Sequence, residues 1–177
     1  KSRKNKFLII SGGPGTGKTT ILATILALRE EEISAIRLCA PTGKAQARMK
    51  EALNSELNNL KIPDEKKILL QNIPCSTIHQ LLRYQRDNGI FRYNSQRKLP
   101  CSLLIVDECS MISQHNMAQL FEALEDDCSV ILLGDHAQLN SVQPGNIFGD
   151  LCELLADHPG HFAELTESKR FSTDKGI

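Results

Sequence analysis

Between Phe7 and Glu31 the chain reads as a short apolar strand, a glycine-rich loop and an amphipathic helix. That succession limits the possible fold more than any other stretch. Phe7 to Ile10 is apolar and of strand length. Gly12-Gly13-Pro14-Gly15-Thr16-Gly17-Lys18-Thr19 matches the pattern G-x-x-x-x-G-K-[ST]. Ile21, Leu22, Ile25 and Leu26 then recur at helical spacing within Thr19 to Glu31. The order has a physical reason. Glycines let successive backbone N–H groups turn inward around a phosphate, and the following helix N-terminus adds its partial positive charge. A chance match arises in roughly one chain of this length in a few hundred, and the strand before and helix after make a bare glycine turn a poor rival. The expected site is Gly12, Gly13, Pro14, Gly15, Thr16, Gly17, Lys18, Thr19 and Thr20 around the phosphates of ATP. Lys18 is expected to reach the β and γ phosphates and the Thr19 hydroxyl to ligate Mg2+.

A strand–loop–helix of this kind belongs in a parallel sheet, and the rest of the chain alternates accordingly. Strands are expected at 33–40, 103–106 and 130–133. Helices are expected at about 44–53, near 65–71, around 77–82, on the stripe Met117, Leu120, Phe121 and Leu124, and on Ile147, Phe148, Leu151, Leu154 and Leu155. Pro41-Thr42-Gly43 reads as a turn, and 162–177 as a short strand with a polar tail. The fold expected is an α/β RecA-like P-loop domain, a mostly parallel sheet flanked by helices. At 177 residues this is one domain.

Magnesium needs a second ligand. Leu103-Leu104-Ile105-Val106-Asp107-Glu108 places two carboxylates at the C-terminal end of a buried strand. Ligands bind at that edge in open α/β sheets. Asp107 is the expected metal ligand, and Glu108 the base that takes a proton from the attacking water. Acids are common at strand ends, so this reading draws its weight from the upstream loop.

Composition excludes several alternatives. Apolar runs fall far short of the ~20 residues a membrane helix needs. The opening KSRKNKFLIISGG passes from a few bases straight into a strand, without the apolar core of a signal peptide. Cysteines 39, 75, 101, 109, 128 and 152 form no C-x-x-C pair, so buried reduced thiols of a cytoplasmic protein are expected. Formal net charge is zero, so nucleic-acid binding would rest on local patches and not on a global basic field.

The remaining motifs fall in an ordered series: Ala40-Pro41-Thr42-Gly43-Lys44-Ala45, Thr77-Ile78-His79, Asp107-Glu108-Cys109-Ser110-Met111, Gly134-Asp135-His136-Ala137-Gln138-Leu139 and Lys169-Arg170-Phe171. In these the chain resembles the first motor domain of superfamily 1 DNA helicases, within them the RecD family of exodeoxyribonuclease V alpha subunits. The resemblance covers almost the whole chain. It implies that Gln138 contacts the γ-phosphate or the attacking water, and that Arg170 stabilises charge on the transferring phosphoryl group. Thr42, Lys44, Thr77 and His79 would meet single-stranded DNA phosphates without reading sequence. For Thr42 a helix cap, and for His79 a partly buried histidine, are competing readings; Asp135 could serve to hold the Gln138 loop. Cys109, Asn140 and Lys169 differ from the family's usual residues but flank the proposed catalytic positions.

Residues 84–98 stand apart as a small hairpin insertion. Arg83, Arg86, Arg92, Arg97 and Lys98 interleave with Tyr84, Phe91 and Tyr93, and Asn88-Gly89 is a hairpin signal. Such a segment suits stacking on splayed bases or wedging a fork; a solvated surface hairpin is the equal alternative. The resemblance further implies 5′-to-3′ movement, RecB and RecC as partner subunits, roles in recombination and double-strand break repair, and a second RecA-like domain outside these residues. With half the cleft missing, these residues alone are expected to turn over ATP weakly. Two rivals remain, a small-molecule P-loop kinase and a nucleotide-gated scaffold. Glu108 and Gln138 argue against the first.

Overall fold

A computed structural model describes residues 6–29, 33–138, 147–158 and 160–166. Its centre is a six-stranded parallel sheet in the order β3-β2-β6-β7-β1-β8. The strands are β1 (Phe7–Gly12), β2 (Ile36–Ala40), β3 (Cys75–Thr77), β6 (Leu103–Val106), β7 (Ser129–Gly134) and β8 (Phe162–Leu165). The helices are α1 (Lys18–Leu28), α2 (Gly43–Asn59), α3 (Asp64–Gln71), α4 (Ile78–Leu81), α5 (Gln114–Glu122) and α6 (Ile147–Leu155). A two-stranded ribbon, β4 (Tyr84–Gln85) with β5 (Ile90–Phe91), stands outside the sheet.

Strand side chains alternate between faces, and each face has its own core. Ile10, Leu38, Leu103, Ile105, Ile131 and Leu133 pack on α1, α2 and α3 through Leu22, Leu26, Met49, Leu53, Leu57 and Leu70. Ile9, Leu104, Val106, Val130 and Leu132 pack on the other side against Ile78, Leu81, Met117, Leu120 and Phe148. All four β6 residues are buried, the mark of a strand covered on both sides. Each fully buried Leu or Ile contributes about 1.5–3 kcal/mol relative to exposure.

The sequence expectations need four corrections. The first helix ends at Leu28, with Arg29 extended. Ile33–Ala35 is a 3-10 turn, so β2 starts only at Ile36. The second helix continues to Asn59, because Met49, Leu53 and Leu57 bury one stripe at i, i+4 spacing past the expected stop. β3 is an added strand: Cys75-Ser76-Thr77 has no apolar run, and pairing with Leu38–Ala40 makes it one. The hairpin forms, although each arm is only two residues long, with Gly89 at φ 70°.

Gly134, at the end of β7, has no room for a side chain. A Cβ there would lie 2.7 Å from the Cε1 and Cζ atoms of Phe148, a ring that is 1% exposed. Gly134→Ala is expected to destabilise the fold by about 1–3 kcal/mol through overpacking, measurable as a lower Tm in calorimetry. All six cysteines are free, and burial pushes the Cys39 thiol up to about 12, as inert core thiols require. Among the described residues no helix is long and apolar enough to cross a membrane.

Candidate active site

The C-terminal ends of β1, β6 and β7 converge on one edge of the sheet. β1 runs directly into the glycine loop. A Cβ on Gly12 would meet Thr16 Oγ1 at 2.6 Å and Leu165 Cβ at 2.9 Å, so only glycine fits. Gly15 and Gly17 take φ values of 81° and 91°, the left-handed region that glycine enters freely. Thr16 Oγ1 donates to the Gly13 carbonyl at 2.9 Å and ties the loop across its base.

Gly17 caps α1, and it brings no side-chain oxygen to the first-turn amides. The N–H groups of Lys18, Thr19 and Thr20 therefore have neither an intrahelical acceptor nor a capping one. A phosphate would supply the acceptors, and the helix dipole would favour its charge. Lys18 Nζ donates to the Gly12 carbonyl and, at 3.1 Å, to that of Gly13. Its ammonium thus stands at the loop's mouth.

Asp107 follows β6, and its backbone N–H donates to the Cys39 carbonyl at 2.9 Å. Burial pushes its carboxyl above the usual range; the Glu108 N–H pulls it down, the Glu108 carboxylate raises it, and the Lys18 ammonium lowers it. Lys18 and Asp107 are therefore within electrostatic reach, as a shared phosphate–metal site demands. Glu108 occupies the left-handed region at φ 53°, ψ 42°, unusual for a residue with a Cβ. Its N–H donates to Asp107 Oδ1 at 2.9 Å and Met111 N–H donates to its carbonyl at 3.0 Å. These bonds hold a conformation that otherwise costs about 1–3 kcal/mol, and such outliers cluster at reactive sites.

Asp135, 6% exposed, follows β7 directly. Its Oδ1 accepts from Ala137 N–H at 3.0 Å, and its carbonyl from Gln138 N–H at 3.2 Å. It therefore holds the turn that presents Gln138, and the Gln138 side chain is exposed. Asp135 Oδ2 also stands 3.7 Å from where a Gly13 Cβ would be, which places this turn beside the loop. Arg170, with Lys169 and Phe171, lies outside the described residues, as do Leu139 and Asn140.

The four residues expected at DNA lie on the other half of the same edge. Thr42 is exposed, and its hydroxyl accepts from Ala45 N–H at 3.1 Å as the N-cap of α2. Lys44 is exposed on the first turn of that helix. Thr77, paired in register with Ala40, forms a capping box with Gln80 at the start of α4. Both hydroxyls thus hold the start of a helix. His79 is not a buried histidine. It is exposed and packs on Tyr84 and Phe91 with ring centroids 5.4 Å and 5.6 Å away. Tyr84 and Phe91 are themselves 5.1 Å apart, so the ribbon is docked on α4 by three rings. Arg83 and Arg97 lie 5.7 Å and 6.0 Å from the Tyr93 ring centre. Basic and aromatic groups thus share one surface.

Sequence reasoning overlooked Ser11, His136 and Glu164. Ser11 Oγ lies 2.8 Å from His136 Nδ1, and His136 Nε2 lies 3.6 Å from Glu164 Oε1. No local pattern marks the trio, because it exists only once β7, β1 and β8 lie side by side.

Residues 1–144 match the family model described as an AAA domain. The chain is 36% identical to the RecBCD enzyme subunit RecD of Haemophilus influenzae, an alignment covering 98% of this chain and 32% of that protein. It is 39% identical to the same-named subunit of Mycolicibacterium smegmatis, over 95% of this chain and 31% of that protein. An ATP-dependent RecD2 DNA helicase of Deinococcus radiodurans is 35% identical over 80% of this chain and 17% of its own length. The chain therefore spans about a third of the length of the RecD relatives. In fold it is similar to the Pif1 helicase of Candida albicans, with a TM-score of 0.50, 19% identity, and coverage of 91% of this chain and 36% of that one.

Proposed function

The chain belongs to the AAA domain family, and from that premise we propose that it is the first RecA-like motor domain of a RecD-type DNA helicase, one that binds ATP and Mg2+ and moves single-stranded DNA. The observation that carries the proposal is the convergence of Lys18, Asp107–Glu108 and the Asp135–Gln138 turn on one sheet edge, beside the C-terminal ends of β2 and β3, where Thr42, Lys44 and His79 are exposed and Thr77 is half-buried. A motor needs both halves next to each other, so that a change at the phosphates moves the DNA track.

The donor set fits the cofactors. The loop amides and Lys18 suit a nucleotide's phosphates, and the Thr19 hydroxyl with the Asp107 carboxylate suits Mg2+, which prefers one or two protein ligands plus phosphate oxygens and water. When bound, Mg2+ would neutralise charge on the β and γ phosphates. Lys18 orients those phosphates, Glu108 takes the proton of the attacking water, Gln138 senses the terminal phosphate, and Arg170 stabilises charge as the phosphoryl group transfers. A small-molecule kinase would have no use for Glu108 as a base that activates water. In this reading the 84–98 ribbon is a small insertion near the DNA path, and a second RecA-like domain elsewhere in the longer polypeptide closes the cleft. RecB- and RecC-type subunits are the proposed partners, and the cytoplasm the proposed compartment.

Unwinding polarity tests this reading. The full-length protein, supplied with ATP and Mg2+, is expected to separate a labelled duplex bearing a 5′ single-stranded tail at least about tenfold faster than one bearing a 3′ tail. Equal rates would refute the polarity, and no unwinding of either substrate would refute the motor.

A further inference from the structure

Ser11 immediately precedes the glycine loop and is fully buried. In the sheet register it stands opposite Gly134 of β7 on one side and Glu164 of β8 on the other. Two residues beyond Gly134 the chain folds back over this row. His136 N–H donates to Ser11 Oγ at 3.3 Å, and His136 Nδ1 lies 2.8 Å from the same oxygen.

A serine hydroxyl has one proton to give and two lone pairs. With one lone pair taken by the His136 N–H, its proton is free to go to Nδ1. Nδ1 is then the ring's acceptor, which leaves the hydrogen on Nε2, the atom 3.6 Å from Glu164 Oε1. The turn after β7 is therefore tied to β1 at Ser11, one residue before the phosphate loop begins, and faces β8 at Glu164.

We propose that His136 is a positioning residue for ATP hydrolysis: pinned to Ser11 and facing Glu164, it fixes the Asp135–Gln138 turn in register with the phosphate loop. The proposal rests on the motor reading above, which makes Gln138 the phosphate sensor. Asp135 shapes this turn from within, through Ala137 and Gln138. His136 instead ties it outward, to the strand that becomes the phosphate loop and to β8. A turn that is well shaped but loosely attached would present Gln138 at the wrong distance, and misplacement by about 1 Å can cost ~10²-fold in rate.

The test has two independent arms on the full-length protein. In the first, amide hydrogen exchange is followed in the peptide spanning 134–138. His136→Ala and Ser11→Ala are each expected to speed exchange at Ala137 and Gln138 about tenfold, a readout that needs no catalysis. In the second, ATP turnover in the presence of single-stranded DNA is measured. His136→Ala is expected to lower kcat about tenfold with KM for ATP within about twofold. The double variant Ser11→Ala/His136→Ala should lose clearly less than the sum of the two single losses, because both single variants break the Nδ1–Oγ contact. His136→Asn, which keeps a polar atom near the place of Nδ1, should recover most of the rate. Unchanged exchange overturns the latch. Faster exchange with unchanged kcat, or losses that add in the double variant, overturns its positioning role. A wild-type protein without DNA-dependent turnover defeats the motor reading on which this role rests; the exchange contrast still decides whether the latch exists.

Discussion

Replacing Lys18 with alanine in the full-length protein is expected to reduce ATP turnover by about 10²–10³-fold or more, the usual cost of removing one preorganised group that stabilises transition-state charge. The lysine performs two tasks at once. Its ammonium stands over the Gly12 and Gly13 carbonyls, where the β and γ phosphates would lie. It also lowers the Asp107 carboxyl, which burial raises above the usual range. Without Lys18 that carboxyl shifts further up, so the metal site weakens together with the phosphate site. The fold should not suffer, because Lys18 belongs to neither hydrophobic core. A Tm within about 2 °C of wild type, with phosphate release all but lost, is the expected pair of results. Turnover within tenfold of wild type would place the phosphates elsewhere.

The second large effect is expected at Glu108. Glu108→Gln keeps the size of the side chain and the backbone N–H that donates to Asp107 Oδ1, but removes the base. Turnover should fall about 10²–10⁴-fold, while nucleotide affinity, read by equilibrium titration with a fluorescent ATP analogue, stays within a few-fold. Losing the base traps the bound nucleotide, whereas losing Lys18 also weakens binding. The contrast between the two variants distinguishes a base that activates water from an acidic residue whose work is structural. If Glu108→Gln weakened binding as much as Lys18→Ala does, Glu108 would be part of the cradle.

The half of the molecule built on β1 was readable in the sequence because glycine chemistry there allows few alternatives. Gly12 is hemmed in by Thr16 and Leu165, Gly17 needs a positive φ, and both facts surface as a pattern of glycines at fixed spacing. β6 was readable for a similar reason: four apolar residues between polar ones describe a strand buried on both faces. Where structure depends on pairing, the sequence was silent. β3 is three half-buried residues, none strongly apolar, and owes its existence to the register with Leu38, Cys39 and Ala40. The end of α2 lay hidden in a polar stretch whose only signal was Leu57, one turn beyond Leu53.

The candidate site divides in the same way. Lys18, Thr19, Asp107 and Glu108 were assigned from local patterns, and the structure brings their strands to one edge. Gln138 and Arg170 came only through resemblance; the first is placed on a turn that Asp135 shapes, and the second lies outside the described residues. Thr42 and Thr77 showed themselves first as helix caps, a role their position before a helical run also predicts. The Ser11–His136–Glu164 contact had no sequence signal, since its members are 125 and 28 residues apart (136 − 11 and 164 − 136) and meet only across strands.

The central claim is that the edge holding Lys18, Asp107 and Glu108 hydrolyses ATP in response to DNA bound on the neighbouring β2–β3 edge. The most direct measurement is steady-state phosphate release by the full-length protein, titrated with single-stranded DNA at saturating ATP and Mg2+. Release is predicted to rise at least about tenfold on DNA addition, and a Thr42→Ala/Lys44→Ala variant should need more DNA for half-maximal stimulation while reaching a similar plateau. Release that ignores DNA, or phosphate that passes to a small-molecule acceptor instead of water, would contradict the account.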